Sequence, residues 1–294
     1  MRRILLLGKK GQVGWELHRA FSVLGEVSAY EYPEINFEDL SSLRDLVLQV
    51  RPDIILNAVA YTAVDQAEHE PELVMRINAD APEMLARLAC QVQAVFVHYS
   101  TDYVFDGIKR TPYTEEDALN PLGVYARSKV AGDLAVQKQG RGCIILRTSW
   151  VYSQRRDNFL KKVLHWARTQ SELSVVTDQI SGPTWARSLA DISGQMIMQG
   201  KNELWDWANE YQGVYNLSGA GAASRFDWAE EILNLDPDRE RQVVRSMRKA
   251  VTSEFPQLAP RPLYTVLDNS RFSRTFGLSL PDWRVSLRLC MDTF

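Results

Sequence analysis

The stretch LLLGKKGQVGWEL, residues 5–17, sets the reading of this 294-residue chain. Ile4 to Leu7 is a short apolar run stopped by Gly8, which reads as a buried parallel strand. Gly8, Gly11 and Gly14 follow, and the chain then opens into a helix at Trp15-Glu16-Leu17. Glycines at a strand-to-helix junction let backbone N–H groups approach a pyrophosphate with no Cβ in the way. The last of them lets the helix lie close to the sheet. The spacing, Gly-x-x-Gly-x-x-Gly, also suits a plain turn. Its place at the first strand–helix junction favours a dinucleotide loop that includes Gln12 and Val13.

The rhythm continues downstream. Further strands are expected at Glu26–Tyr30, Ile54–Asn57, Ala94–Tyr99 and Cys143–Thr148. Amphipathic helices are expected at Val13–Leu24, Leu40–Val50, Glu72–Gln91 and Tyr125–Gln137. Such alternation forces right-handed crossovers and a parallel sheet covered on both faces. The fold class is therefore α/β, a doubly wound parallel sheet of Rossmann-like type. After Trp150 the pattern loosens: helices at Phe159–Thr169, Ser188–Gln199 and Arg225–Leu233, a strand at Leu173–Val176, and a turn-rich DQISGPT at 178–184. This reads as a dinucleotide-binding domain over 1–152, to which some later segments return. A smaller α+β substrate domain spans mainly 153–294.

Composition narrows the class. Thirty-four basic residues against thirty-seven acidic ones give a net charge of −3, which argues against general nucleic-acid binding. Arg2 and Arg3 precede an apolar run too short for a signal core, and no stretch suits a membrane span. Cys90, Cys143 and Cys290 are far apart and odd in number, so neither a disulfide framework nor a metal site is expected. A cytoplasmic protein is predicted.

Candidate site residues follow from the strand ends. An acid closing the second strand holds the adenosine ribose hydroxyls, and Glu31 stands in that place. Glu31 favours NADH; Lys9 and Lys10 offer cations for the extra phosphate of NADPH. Both cofactors stay open, with a slight balance toward NADPH. Asp39 and Leu40 are expected beside the adenine, and Ala58 to Thr62, with Ala60, Tyr61 and Thr62 among them, along the cofactor's middle. Of eleven tyrosines only Tyr125 has a lysine four residues on, Lys129, which places both on one helix face. An ammonium there favours the phenolate and lowers the phenol's pKa. Ser100 and Thr101 lie at a strand carboxyl end, where open α/β sheets bind ligands. His98 reads as a satisfied interior histidine. Trp205, Trp207 and Trp228 read as packing in the small domain.

The glycine loop, the strand-end Ser/Thr and Tyr-x-x-x-Lys together resemble the extended short-chain dehydrogenase/reductase family. Within it, GKKGQVGWEL at 8–17, RPDIILNAVAYTAVDQAE at 51–68, HYSTDYVFDG at 98–107 and PLGVYARSK at 121–129 are similar to the dTDP-4-dehydrorhamnose reductases. RTSWVY at 147–152, DQISGPT and LPDW at 280–283 carry the likeness almost to the C-terminus. The resemblance implies reduction of the carbon-4 ketone of dTDP-4-dehydro-L-rhamnose by NAD(P)H. It implies Tyr125 as proton donor, Lys129 on the nicotinamide ribose and Thr101 as tuner of the tyrosine. Tyr99 would lie near the cofactor, and Thr101, Asp102 and Trp150 would touch the nucleotide sugar. Arg261 is a candidate for the diphosphate.

Some relatives are dimers bridged by magnesium on acidic side chains. Glu16 matches one ligand and Asp292 is a substitute for another, but Arg187 stands where a glutamate is expected. A guanidinium cannot bind a cation, so no metal is predicted, and a monomer or weak homodimer is expected. Two other readings stay beside the reductase. One is another nucleotide-sugar epimerase or dehydratase of the same fold; a dehydratase wants a glutamate where Tyr103 stands. The other is a non-catalytic regulatory subunit like that of methionine adenosyltransferase, for which the Thr101, Tyr125 and Lys129 set has no chemical use.

Overall fold

The computed structural model describes residues 1–293. Six parallel strands form the central sheet. Five alternate with helices along the first half of the chain: β1 Arg2–Leu7, β2 Gly25–Tyr30, β3 Ile54–Asn57, β4 Val95–Thr101 and β5 Cys143–Thr148. The sixth, Gly213–Asn216, returns from the second half to pair with β5. The order across the sheet is Gly213–Asn216, β5, β4, β3, β1, β2. The chain reverses direction of winding between β1 and β3, and the crevice outside the strand ends at that switch is where such sheets bind ligands.

Helices α1 Gln12–Phe21, α2 Leu40–Val50, α3 Pro71–Met75, α4 Ala81–Val92 and α5 Val124–Gln139 make the crossovers. The strands are buried on both faces, so their apolar residues feed two cores. Ile4, Leu6, Ile54, Leu56, Val95 and Val97 point to one; Leu5, Leu7, Ile55 and Phe96 point to the other. This is the near-continuous apolar strand expected of a doubly covered parallel sheet. The doubly wound α/β class read from the sequence is the fold observed.

Two local features differ from the expected elements. The segment expected as one helix over 72–91 is α3, a π turn at Arg76–Asp80, and then α4. The wider turn carries Asn78, whose Oδ1 accepts from Tyr61 N at 2.8 Å and whose Nδ2 donates to Ser128 Oγ at 2.9 Å. Asn78 thus ties the loop after β3 to α5, and Gly132 lets the backbones meet: a Cβ there would lie 2.1 Å from Asn78 O. Such single-turn bulges recur at functional sites. Trp205 and Trp207 are not in the small domain. Their helix, Leu204–Glu210, packs against the sheet, with Trp207 beside Tyr211 and Phe276. Pairing of Gly213–Asn216 with β5 draws the preceding helix back there.

A third core collects Tyr152, Leu160, Trp185, Phe226, Trp228 and Trp283. It lies among the helices Phe159–Thr169, Arg225–Asn234 and Trp283–Met291 and the paired strands Glu172–Val176 and Ser246–Ala250. Among the described residues no helix is long and apolar enough to cross a membrane.

Candidate active site

A cavity of about 540 Å³ opens at the carboxyl ends of β1, β2, β3, β4 and β5. Gly8, Gly11, Gln12 and Val13 form one wall. Gly8 sits at φ +94°, the left-handed region that glycine adopts freely. Gly14 is not on the wall: it faces the loop, where a Cβ would lie 1.9 Å from Gly8 O. Its absence lets α1 close onto the loop, so the two outer glycines shape the turn and Gly11 faces the ligand space.

Glu31 closes β2 and lines the cavity, its Oε2 accepting from Lys10 N at 3.1 Å. Lys9 is turned away: its Nζ lies 2.6 Å from Glu34. Ala58, Val59, Ala60 and Thr62 line the middle of the cavity. Asp39, Leu40, Tyr61 and Arg261 do not. Asp39 caps α2, and the hydrogen bonds it accepts, from the Ser41 hydroxyl first and then from Ser42 N and Ser41 N, hold its carboxyl below the usual range. Leu40 packs on the sheet core. Tyr61 donates to Glu70 at 2.6 Å, and Arg261 pairs with Asp65 at 2.7 Å.

The chemical end of the cavity is built by β4, β5 and α5. Tyr99, Ser100, Thr101 and Asp102 come from the end of β4, and Tyr125 and Lys129 from one face of α5. Glu68 Oε1 accepts from Val124 N at 2.7 Å and so holds the first turn of α5 beside the site. Farther along the helix, Asp133 and Arg147 of β5 form a buried ion pair at 3.0 Å. Helix α5 is thereby pinned to neighbouring elements at its first turn and again past its middle.

Ionisation at this end is governed by burial. The phenol of Tyr125 is raised above its ordinary value by burial, opposed by the Thr101 hydroxyl. This differs from the lowering expected from Lys129, because Lys129 turns to other partners. Its Nζ donates to Tyr99 O at 2.8 Å and lies 3.2 Å from His98 Nε2. Burial pulls the Lys129 amine down to about 8, with Asp133 opposing. Asp102 is pushed up to about 6 by burial, although Thr265, Ser181 and Thr101 all donate to it. Ser100 Oγ and Thr148 Oγ1 are buried on the cavity wall without a hydrogen-bond partner. Unsatisfied hydroxyls facing a cavity fit a polar ligand, since leaving them unpaired costs about 1–3 kcal/mol each.

Trp150 forms the far wall at φ +42°. Its indole stacks on Trp228 with centroids 5.6 Å apart, and the Arg225 guanidinium lies 3.6 Å from its centroid. Such strain persists only where surrounding packing determines it. Sequence reasoning missed Thr148, Ser149 and Arg156, all on the cavity wall. Thr148 closes β5 as Thr101 closes β4, with Ser149 next, so the same strand-end rule finds them. Arg156, whose Nε donates to Lys10 O at 2.9 Å, has no local signal.

The family model described as the RmlD substrate binding domain matches residues 1–294. A dTDP-4-dehydrorhamnose reductase of Burkholderia thailandensis is 39% identical over 98% of both chains. The chain belongs to the dTDP-4-dehydrorhamnose reductase family. A solved reductase of that name from Clostridium acetobutylicum superposes with a TM-score of 0.89 at 32% identity, covering 99% of each chain. Another, from Bacillus anthracis in complex with NADP, has a TM-score of 0.89 at 29% identity over 100% of this chain and 99% of its own.

Glu16, one of the acids that the resemblance connects with magnesium, is engaged by arginines and does not fit a cation here. Glu16 accepts from Arg19 at 2.8 Å and from Arg187 at 3.2 Å. Both guanidiniums meet the same oxygen, Oε2, and two positive charges at one carboxylate repel a metal. Among the described residues no group of three His, Cys, Asp or Glu side chains could hold one.

Proposed function

We propose that this chain reduces dTDP-4-dehydro-6-deoxy-L-mannose (dTDP-4-dehydro-L-rhamnose) to dTDP-L-rhamnose, with NADPH or NADH as hydride source. One observation carries the reading: the glycine loop and Thr101, Tyr125 and Lys129 line a single cavity. In a chain of this family, that juxtaposition has an enzymatic use and no evident use in a regulatory subunit. Tyr103 follows Asp102 where a dehydratase needs an acid. Burial raises its phenol further, which favours the reductase over water loss.

The nicotinamide, when bound, supplies hydride to carbon 4. The N-terminus of α1, at Gln12 and Val13, offers backbone N–H groups to the diphosphate, and Gly8 and Gly11, whose own N–H groups bond Tyr30 O and Gly8 O, leave it room to approach. Glu31 accepts from the adenosine ribose hydroxyls, while Lys10 and Arg156 supply positive charge for a 2′-phosphate. Tyr125, kept protonated by burial, donates its proton to the carbon-4 oxygen. Hydride and proton together turn the ketone into an alcohol. Thr101 orients that oxygen and the phenol, and Lys129 holds the nicotinamide ribose. Asp102 and Trp150 bound the sugar, with Trp150 as its apolar wall, and the helices of the third core form the nucleotide-sugar side. The protein works in the cytoplasm, in keeping with its three free cysteines, as a monomer or weak homodimer.

The test is nicotinamide oxidation upon addition of dTDP-4-dehydro-L-rhamnose, with the product identified by chromatography. One dTDP-L-rhamnose per NADPH or NADH consumed is expected. Folded protein that oxidises neither cofactor would refute the proposal.

A further inference from the structure

Three buried polar side chains from three elements run in a line toward the floor of the cavity. Asn57 ends β3, His98 is its register partner on β4, and Lys129 is on α5. All three are essentially inaccessible to solvent: Asn57 and His98 at 0% and Lys129 at 1%. Asn57 Nδ2 lies 3.1 Å from His98 Nδ1, and His98 Nε2 lies 3.2 Å from Lys129 Nζ.

The direction of each bond follows from the first. Asn57 Oδ1 accepts from Val59 N at 3.2 Å. Its other end is therefore the amide NH₂, which donates, and His98 Nδ1 must accept. A neutral imidazole has one protonated nitrogen, so the proton is on Nε2 and faces Nζ. An ammonium has only donors and meets that N–H head on. An amine has one lone pair, which can accept from Nε2–H while an amine N–H donates to Tyr99 O.

We propose that Asn57 and His98 are positioning residues for Lys129: Asn57 fixes the imidazole with its proton on Nε2, and that N–H makes the amine, rather than the ammonium, the matched partner in the unliganded site.

The other groups around Nζ are accounted for. Tyr125 lies one turn before on α5 and Asp133 one turn after, the latter paired with Arg147 of β5. Asp102 stands at the end of β4. Asp133 favours the ammonium and burial opposes it, which leaves the amine at about 8. His98 itself is held far below its ordinary value by burial and by Lys129. A neutral imidazole is what the relay needs.

The consequence for turnover rests on the reaction proposed above: the ammonium finds acceptors once the ribose hydroxyls are present. The statement about the unliganded protein does not rest on it. A chain without reductase activity can still hold this relay, and a failed relay leaves the reductase reading standing.

The experiment uses unliganded full-length protein. Long-range ¹H–¹⁵N spectra of the imidazoles, assigned with His98→Gln, report the tautomer directly. His98 is expected to stay neutral with its proton on Nε2 across the neutral range. A proton on Nδ1, or an imidazolium, overturns the proposal. Titration of ε-¹³C-labelled lysine, assigned with Lys129→Met, provides the second readout. A glutamine at position 98 can turn its carbonyl to Nζ and accept from the ammonium. The Lys129 midpoint should then rise by about one pH unit, since hydrogen bonds to charged groups are the stronger ones. An unmoved midpoint in folded His98→Gln protein would show that His98 merely packs. If that variant does not fold, the wild-type tautomer still decides.

Discussion

Gly11 and Gly14 lie three residues apart in the same loop, yet alanine at each should fail differently. At Gly14 the added Cβ would lie 1.9 Å from Gly8 O, 2.6 Å from Gly8 C and 3.2 Å from Lys9 N. All three are backbone atoms, and ordinary carbon contacts begin near 3.5 Å. Helix α1 or the loop must therefore shift by over an ångström. Overpacking of this kind costs about 1–3 kcal/mol. At about 2–4 °C per kcal/mol, Gly14→Ala should melt several degrees lower. Cofactor affinity should fall with it, because the distorted loop is the cradle. At Gly11 the Cβ would meet only Gly8 O at 3.3 Å, and the backbone is extended at φ −69°, ψ 168°. Alanine reaches that conformation, and the lost freedom of the unfolded chain offsets the slightly poorer N-cap. Gly11→Ala should keep its melting temperature to within about 2 °C. It should lose about tenfold to hundredfold in NADPH affinity, because the new Cβ on the cavity wall stands between the diphosphate and the free N–H groups at the start of α1, which are worth one or two charge-assisted bonds. Melting curves and cofactor fluorescence titrations on both variants provide the check. If Gly11→Ala melts as low as Gly14→Ala and binds NADPH as wild type does, the assignment of roles is refuted.

Asp102 is raised from 3.8 to about 6 by burial, so between those values the folded state holds a proton that the unfolded state has lost. Its contribution to stability should fall as pH rises from about 4 to 6, by about 3 kcal/mol in all. Relative to Asp102→Asn, wild type should therefore lose ground over that window in urea titrations; a pH-independent difference would contradict it. Glu31→Ser removes the acceptor for the adenosine ribose hydroxyls. It should shift the NADPH-to-NADH ratio of kcat/KM about tenfold toward NADPH, and an unchanged ratio would separate Glu31 from the ribose. EDTA should leave activity and sedimentation unchanged, since Arg19 and Arg187 occupy Glu16; a dimer that dissociates on chelation would show that another set of ligands exists.

What was legible in the sequence was what local rules encode. Gly8, Gly11, Glu31, Thr101 and Tyr125 are each announced by a strand end or a helix spacing, and each lines the cavity. Asp39 follows β2 closely enough to suggest adenine, but a carboxylate before a Ser-Ser pair caps α2 instead. His98 is the satisfied interior residue that its strand suggests. The identity of its partners depends on β3, β4 and α5 meeting, which no single segment states. Arg225 over Trp150 is likewise invisible, since 75 positions separate them. The π turn at Arg76–Asp80 escapes periodicity because one added residue barely disturbs an apolar stripe.

Single-turnover oxidation of enzyme-bound NADPH by dTDP-4-dehydro-L-rhamnose, in wild type and in Tyr125→Phe, addresses the central claim at once. Wild type should consume one NADPH per ketone and yield dTDP-L-rhamnose. The Phe variant should bind NADPH equally well and react about 10²–10⁴ times more slowly, the usual worth of a positioned proton donor. No oxidation by folded wild type, or an undiminished rate in Tyr125→Phe, would contradict the account.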